Sequence, residues 1–280
     1  MDWLTENKIP LGRWIKLGVD ALNDNAAWFF DAIATVLGGA IEGLIAGLLW
    51  FHPLVLLALF AIVGGLAQRN WRLGLGIAAS LLLVINMGYW RETIETLALV
   101  IFAASICMGV GVPLGIAAAR RPWLESMLRP ILDLMQTIPT FVYLIPTLIL
   151  FGLGVVPGLI STIVFAIPAP IRLTTLGIKS TPRELIEAAD AFGATRWQLL
   201  TKVQLPHAMP TITAGLTQCI MLSLSMVVIA ALVGADGLGK PVVRALNTVN
   251  IARGFEAGLA IVILAILLDR VFRRSQRGGE

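Results

Sequence analysis

The chain is poor in charge. Asp, Glu, Lys and Arg make up 14% of its 280 residues, where a soluble domain carries about 25%. It has only two cysteines, Cys107 and Cys219, both inside apolar runs. They leave no disulfide framework and no metal site, and each reads as a small buried hydrophobe. The start, "MDWLTENKIPLGRW", lacks the apolar core of a cleavable signal. Ionisable groups are also missing from the middle of the apolar runs. Asp133, Arg172 and Asp269 fall near run ends, where they can reach water. A carrier coupled to protons or sodium usually keeps such groups near the midplane, so the energy source is expected outside this chain. The net charge of +4 fits membrane topology better than a nucleic-acid partner.

What is abundant is apolar length. Hydrophobic residues make up 58% of the chain, the mean hydropathy is +0.86, and runs near the roughly 20 residues of a bilayer span recur. The expected fold class is an all-α polytopic membrane protein with about seven transmembrane helices, six to eight being compatible with the pattern. The expected spans are 52–67, 73–89, 93–117, 131–152, 157–178, 209–233 and 257–272.

Residues 1–25 are polar and turn-rich. In residues 26–50, Asp31, Thr35, Gly38 and Glu42 line one helical face, while Phe29, Ile33, Leu37, Ile41, Leu44 and Leu48 lie mostly opposite. This amphipathic helix is expected in the interface plane. The rival is a spanning helix with its polar stripe against other helices. Three regions follow: 1–50 as tail and interfacial helix, 51–89 as accessory transmembrane helices, and 90–275 as the core.

Basic residues set the orientation. With the C-terminus inside, before the tail "DRVFRRSQR", the inside segments hold two, three, four and four Lys or Arg. The outside segments hold seven: Lys8, Arg13, Lys16, Arg91, Lys240, Arg244 and Arg253. Trp28, Trp50, Trp71, Tyr89, Trp90 and Trp123 lie near span ends, as an aromatic belt would.

Three motifs need weighing. "GADGLGKP" spells the start of a phosphate loop, but Pro241 stands where Ser or Thr would hold magnesium, and no strand precedes it. Its glycines are expected to shape a tight outer loop. Glycines four apart (Gly39, Gly43 and Gly47; Gly111 and Gly115; Gly154 and Gly158) permit close helix approach, within the chain or between copies. Prolines break the runs: in "MQTIPTFVYLIPTLILFG", Pro139 and Pro146 are seven apart, on roughly one helix face. Such helices either line a path or are static kinks. Pro139, Phe141, Tyr143, Pro146 and Pro168 are the candidate path-lining residues.

The polar stretch Glu187–Pro210, "EAADAFGATRWQLLTKVQLPHAMP", sits between two apolar runs on the inside. Thr181-Pro182-Arg183-Glu184 reads as a capping box that starts a helix over 182–192, and Gly193 as its stop. Thr195-Arg196-Trp197-Gln198 reads as a second capping box, for a short helix ending at Leu205-Pro206. The result is a helix–turn–helix that either rests on lipid or docks a cytoplasmic partner.

Glu187-Ala188-Ala189, then Gly193, then Val203-Gln204-Leu205-Pro206 resembles the EAA loop of ABC-importer permeases. Further stretches, among them "VPGLISTIVFAIPAPIRLTTLGI" and "LSLSMVVIAALVGADGLGKPV", look like the ProW-like permeases of quaternary-amine importers; roughly 90–272 carries the likeness. The resemblance implies a type I ABC-importer permease fold, a cytoplasmic coupling helix within 180–207, and a bacterial inner-membrane location. It also implies a second, identical permease copy, two ATPase subunits and an extracytoplasmic binding protein. Glu187, Ala188, Ala189, Gly193, Leu205 and Pro206 would form or frame the ATPase contact. No cofactor or metal is expected on this chain; ATP and magnesium belong to the partner ATPase. The implied cargo is choline, glycine betaine or proline betaine. The rivals are another small solute such as an amino acid, or a secondary carrier.

Overall fold

The computed structural model describes residues 10–272, and all the regular structure within them is helical. The opening stretch through Ile9 and the basic tail after Phe272 lie outside the described residues. The first helices are α1 (Leu11–Leu49), α2 (Pro53–Ala67), α3 (Trp71–Asn86) and α4 (Trp90–Arg120). Next come α5 (Pro122–Thr137), α6 (Thr140–Phe151), α7 (Val155–Ala166) and α8 (Pro168–Lys179). The rest are α9 (Arg183–Ala191), α10 (Arg196–Leu199), α11 (Leu205–Ala230), α12 (Gly239–Asn247) and α13 (Ile251–Phe272).

Five helical stretches are long and apolar enough to cross a bilayer: Gly12–Leu49, Trp90–Arg120, Val155–Lys179, Arg196–Val233 and Ile251–Phe272. The pair α5–α6 makes a sixth only if its 97° bend is counted within one span. The expected span over 131–152, with its proline breaks, is thus two helices meeting at a sharp bend. Pro139 stands between the two helices, as the N-cap of α6, and only Pro146 lies inside α6. The expected spans at 52–67 and 73–89 are found as α2 and α3, of 15 and 16 residues. At 1.5 Å per residue each rises only about 22–24 Å, short of the roughly 30 Å hydrocarbon layer. They pair as a hairpin, with Gly74 set against the Ala61 carbonyl. Gln68 Nε2 at the turn donates to the Val271 carbonyl at 2.8 Å, which anchors the hairpin to α13.

The centre is built from α4, α7, α8 and α11. Here glycine is a packing residue. A Cβ on Gly115 of α4 would lie 2.6 Å from Thr174 Cβ and 2.7 Å from the Ile171 carbonyl of α8. Gly158 of α7 meets Ala230 of α11 in the same way. In lipid there is no hydrophobic gain from pairing two helices, so such close backbone approach carries much of the association. Gly39, Gly43 and Gly47 of α1, by contrast, face open space. Cys107 and Cys219 are free, fully buried thiols. The fold brings them into contact across α4 and α11.

α1 bends at Ala26, which leaves helical geometry. Beyond the bend its apolar face packs on the bundle. Phe30 meets Phe151 edge-on at 5.4 Å between ring centres. Ile41 is fully buried with Ala98, Ala103 and Leu159.

Candidate functional site

α9 is short because its ends are chemically defined. Thr181 does not cap it, contrary to the capping-box reading. Its hydroxyl donates instead to the Ile178 carbonyl at 2.9 Å, captured by one of the free carbonyls at the end of α8. Pro182 takes the N-cap position with no side-chain cap. At the other end Gly193 has φ +72. Its N–H donates to the Asp190 carbonyl at 2.9 Å, and the Ala194 N–H reaches the Ala189 carbonyl at 3.0 Å. These are the two bonds of a Schellman stop, which needs a left-handed residue at that position.

The second capping box is formed as the sequence predicts. Thr195 Oγ1 accepts from the Gln198 N–H at 3.3 Å, and Gln198 Oε1 accepts from the Thr195 N–H at 2.8 Å. The helix it starts does not end at Leu205-Pro206. α10 continues through a π turn over Leu200–Gln204 into α11. The Leu205 N–H bonds the Leu200 carbonyl, five residues back. The wider turn just before Pro206 relieves the clash a proline ring makes inside an α-helix, so the chain need not break.

α9 projects from the bundle with no buried residue. Glu187 and Ala188 are exposed and Ala189 is half-buried. Leu185 and Phe192 are 46% and 91% exposed, so its apolar face has no cover within the chain. Its base is held firmly: Arg120 Nη2 at the end of α4 donates to the Arg196 carbonyl at 3.0 Å. Leu205 packs beside Ile178, Leu200 and Ala208, whereas Pro206 is exposed. The geometry is a short amphipathic lever on a rigid mount.

The candidate path residues divide. Pro139 and Phe141 are exposed, Tyr143 and Pro146 are half-buried, and Pro168 is buried at the start of α8. The bend at Pro139 is closed locally. Proline has no N–H, so a continuous helix would leave the Met135 carbonyl, four residues back, without its donor. Tyr143 Oη donates to that carbonyl at 2.6 Å. The Tyr143 hydroxyl thus has a structural role at the bend. Thr147 and Ser161 share a buried 2.8 Å hydrogen bond that ties α6 to α7. Asp133 and Arg172, expected near water, pair across α5 and α8 at 2.7 Å. Lys179 and Glu125 form a second ion pair between the same helices.

In the Gly234–Pro241 loop the glycines do shape a tight, closely packed turn. Lys240 is paired with Asp236. Gly237 has φ +115 and lies against Thr96. Thr96 Oγ1 accepts from the buried Leu238 N–H at 2.8 Å. Gly237 lets this loop press onto α4, and Gly239 lets it press onto Val227 of α11, where a side chain would not fit. One charge escaped the sequence reading: Glu95 in α4 is buried, with Arg91 Nε at 3.0 Å. Its signal was the run Arg91, Glu92, Glu95 at the start of a span.

Comparisons with known proteins are consistent with this geometry. Residues 111–278 match the family described as binding-protein-dependent transport system inner membrane component. The glycine betaine transport system permease protein OpuAB of Bacillus subtilis is 47% identical over 268 residues, 94% of this chain and 93% of that protein. The glycine betaine/carnitine transport permease protein GbuB of Listeria monocytogenes is 44% identical over 94% of both chains. The glycine betaine/proline betaine permease ProW of Escherichia coli is 42% identical over 97% of this chain and 76% of that one. Among solved structures, an inward-facing MetNI methionine ABC transporter matches with a TM-score of 0.58 and 27% identity. That match covers 64% of this chain and 92% of the other.

Proposed function

Because the chain belongs to the family of binding-protein-dependent transport system inner membrane components, we propose that its cargo is a small quaternary ammonium zwitterion of the glycine betaine type. The chain itself is the transmembrane permease subunit of an ATP-driven ABC importer and not an enzyme. The relatives named for glycine betaine match over nearly its whole length, which favours that cargo over choline or an amino acid.

The observation that carries the mechanism is the uncovered lever α9. An ATPase groove that accepts Leu185, Ala188 and Phe192 would bury its apolar face, with Glu187 at the rim. Two permease copies then form the path between them. Two ATPases closing on ATP and magnesium push through α9, and the rigid mount passes that movement to α4 and α11. An extracytoplasmic binding protein delivers cargo at the far end, and the C-terminus lies in the cytoplasm. Uptake into vesicles holding permease, ATPase and binding protein tests the cargo. Labelled glycine betaine should accumulate only with ATP inside, and excess proline betaine should compete. Uptake without the ATPase would sink the importer reading in favour of a carrier, and competition by amino acids alone would sink the cargo.

α1 is read as a collar in the outer interface. Its partners Phe151, Val156 and Ala98 all lie toward the outer ends of their helices, given a cytoplasmic C-terminus. Asp31, Thr35 and Glu42 are exposed beside the bundle-facing side, and Trp28 and Val36, at 73% and 69% exposed, lie further round. Protein, water and lipid on three successive sides suit a helix lying in the membrane plane. Residues 31 and 42 are about 16 Å apart along the axis. In the plane, Asp31→Cys, Thr35→Cys and Glu42→Cys should all react with an impermeant maleimide in right-side-out vesicles. The native cysteines are buried and give little background. Labelling at one end alone would mean that α1 spans.

A further inference from the structure

At the end of the bundle opposite α9, three segments far apart in sequence enclose an open basin of about 550 Å³. The α3–α4 loop and the first turns of α4 bring Tyr89, Glu92 and Glu95. α12 brings Arg244, and the start of α13 brings Arg253 and Glu256. The size falls in the roughly 300–1,000 Å³ range of small-molecule sites. The lining does not: it is charged where such sites are mostly apolar, and the signs are mixed.

Part of that charge is already used. Glu95 is held by Arg91, and Asp236 by Lys240. Glu92, Glu256, Arg244 and Arg253 have no ion-pair partner among the described residues. The free groups are not scattered at random. Glu256 and Glu92 both lie close enough to the Tyr89 phenol to raise its pKa, after burial itself, while Arg253 pulls it down. Two carboxylates and the Arg253 guanidinium thus stand near the Tyr89 side chain, on one wall of the basin. Arg244 stands on a different wall, one helix away.

A trimethylated ammonium cannot donate a hydrogen bond. It is recognised by aromatic faces and by the field of nearby carboxylates. A carboxylate is recognised by a guanidinium. We propose that this basin is a cargo-capture site on the permease itself, holding the quaternary ammonium end of a betaine at Tyr89, Glu92 and Glu256 and its carboxylate at Arg244. The proposal rests on the quaternary-amine reading of the importer. An open basin keeps its charges hydrated, so binding is weak. Weak binding is what a transit site needs, because cargo must leave as readily as it enters.

The test is saturation-transfer NMR on the permease–ATPase complex in nanodiscs, without binding protein, using glycine betaine and choline as probes. Wild type should transfer saturation to the N-methyl protons of both. The combined Tyr89→Leu, Glu92→Gln, Glu256→Gln variant should lose that transfer by about fivefold or more for both probes. Arg244→Gln should weaken betaine and leave choline, which has no carboxylate, unchanged; the retained choline signal also shows the variant is folded. No transfer in wild type, or equal transfer in the combined variant, overturns the capture site. Loss of both probes in Arg244→Gln overturns the assignment of the carboxylate end. Betaine uptake by the complete importer is measured in parallel. Uptake with a silent basin means the cargo reading stands and the capture site falls; absent uptake with transfer at the basin overturns the cargo reading alone.

Discussion

Glu187→Lys should leave the permease inserted and folded, yet abolish ATP-driven uptake. Glu187 is exposed and makes no ion pair or hydrogen bond within the described residues. Its replacement should therefore shift the chain's own stability by no more than about 0.5 kcal/mol. A reversed charge at the rim of a docked helix instead places an unmatched cation against the partner. A loss of about 1.4 kcal/mol or more in that contact weakens it roughly tenfold or more. Co-purification measures this directly. Wild type should retain the ATPase through size-exclusion chromatography, and the variant should not. If the variant keeps both the ATPase and near-normal uptake, α9 does not carry the contact through Glu187.

Gly115→Val should fail earlier, at folding. The added Cβ would sit 2.6 Å from Thr174 Cβ and 2.7 Å from the Ile171 carbonyl. The second of these is backbone, which cannot rotate aside. α4 and α8 must then separate at the centre of the bundle, at a cost of about 1–3 kcal/mol or more. The loss of close packing removes much of what joins helices in lipid. Gly76→Ala is the contrast, since a Cβ there meets nothing within 4 Å. The expected outcome is a large fall in the yield of monodisperse detergent-solubilised protein and in its thermal midpoint for Gly115→Val, with Gly76→Ala close to wild type. Equal behaviour of the two would show that the α4–α8 crossing tolerates separation.

Much of the candidate site was legible before the structure, and for a local reason. The stop at Gly193 and the box joining Thr195 to Gln198 depend on atoms within five residues of one another. The capping box at Thr181 was equally legible and did not form, because the end of α8 claimed that hydroxyl. The path residues were less readable. Pro139 announced a disturbance but not its size. A 97° turn held by Tyr143 and a mild joint at Pro168 look alike as prolines in apolar runs.

By itself the sequence determined a helical membrane protein and the cap and stop that shape its polar lever. Each follows from composition or from contacts within a helical turn. The tertiary structure alone decided which glycines pack, with Gly115 and Gly158 closed in and Gly39 open. It also decided that Cys107 meets Cys219, and that residues near 90, 244 and 256 share one basin. The physical reason is that a helix apolar on every side carries no periodicity to mark its partner. In lipid, which face meets protein is settled by close fit between surfaces, and fit exists only once the helices are assembled.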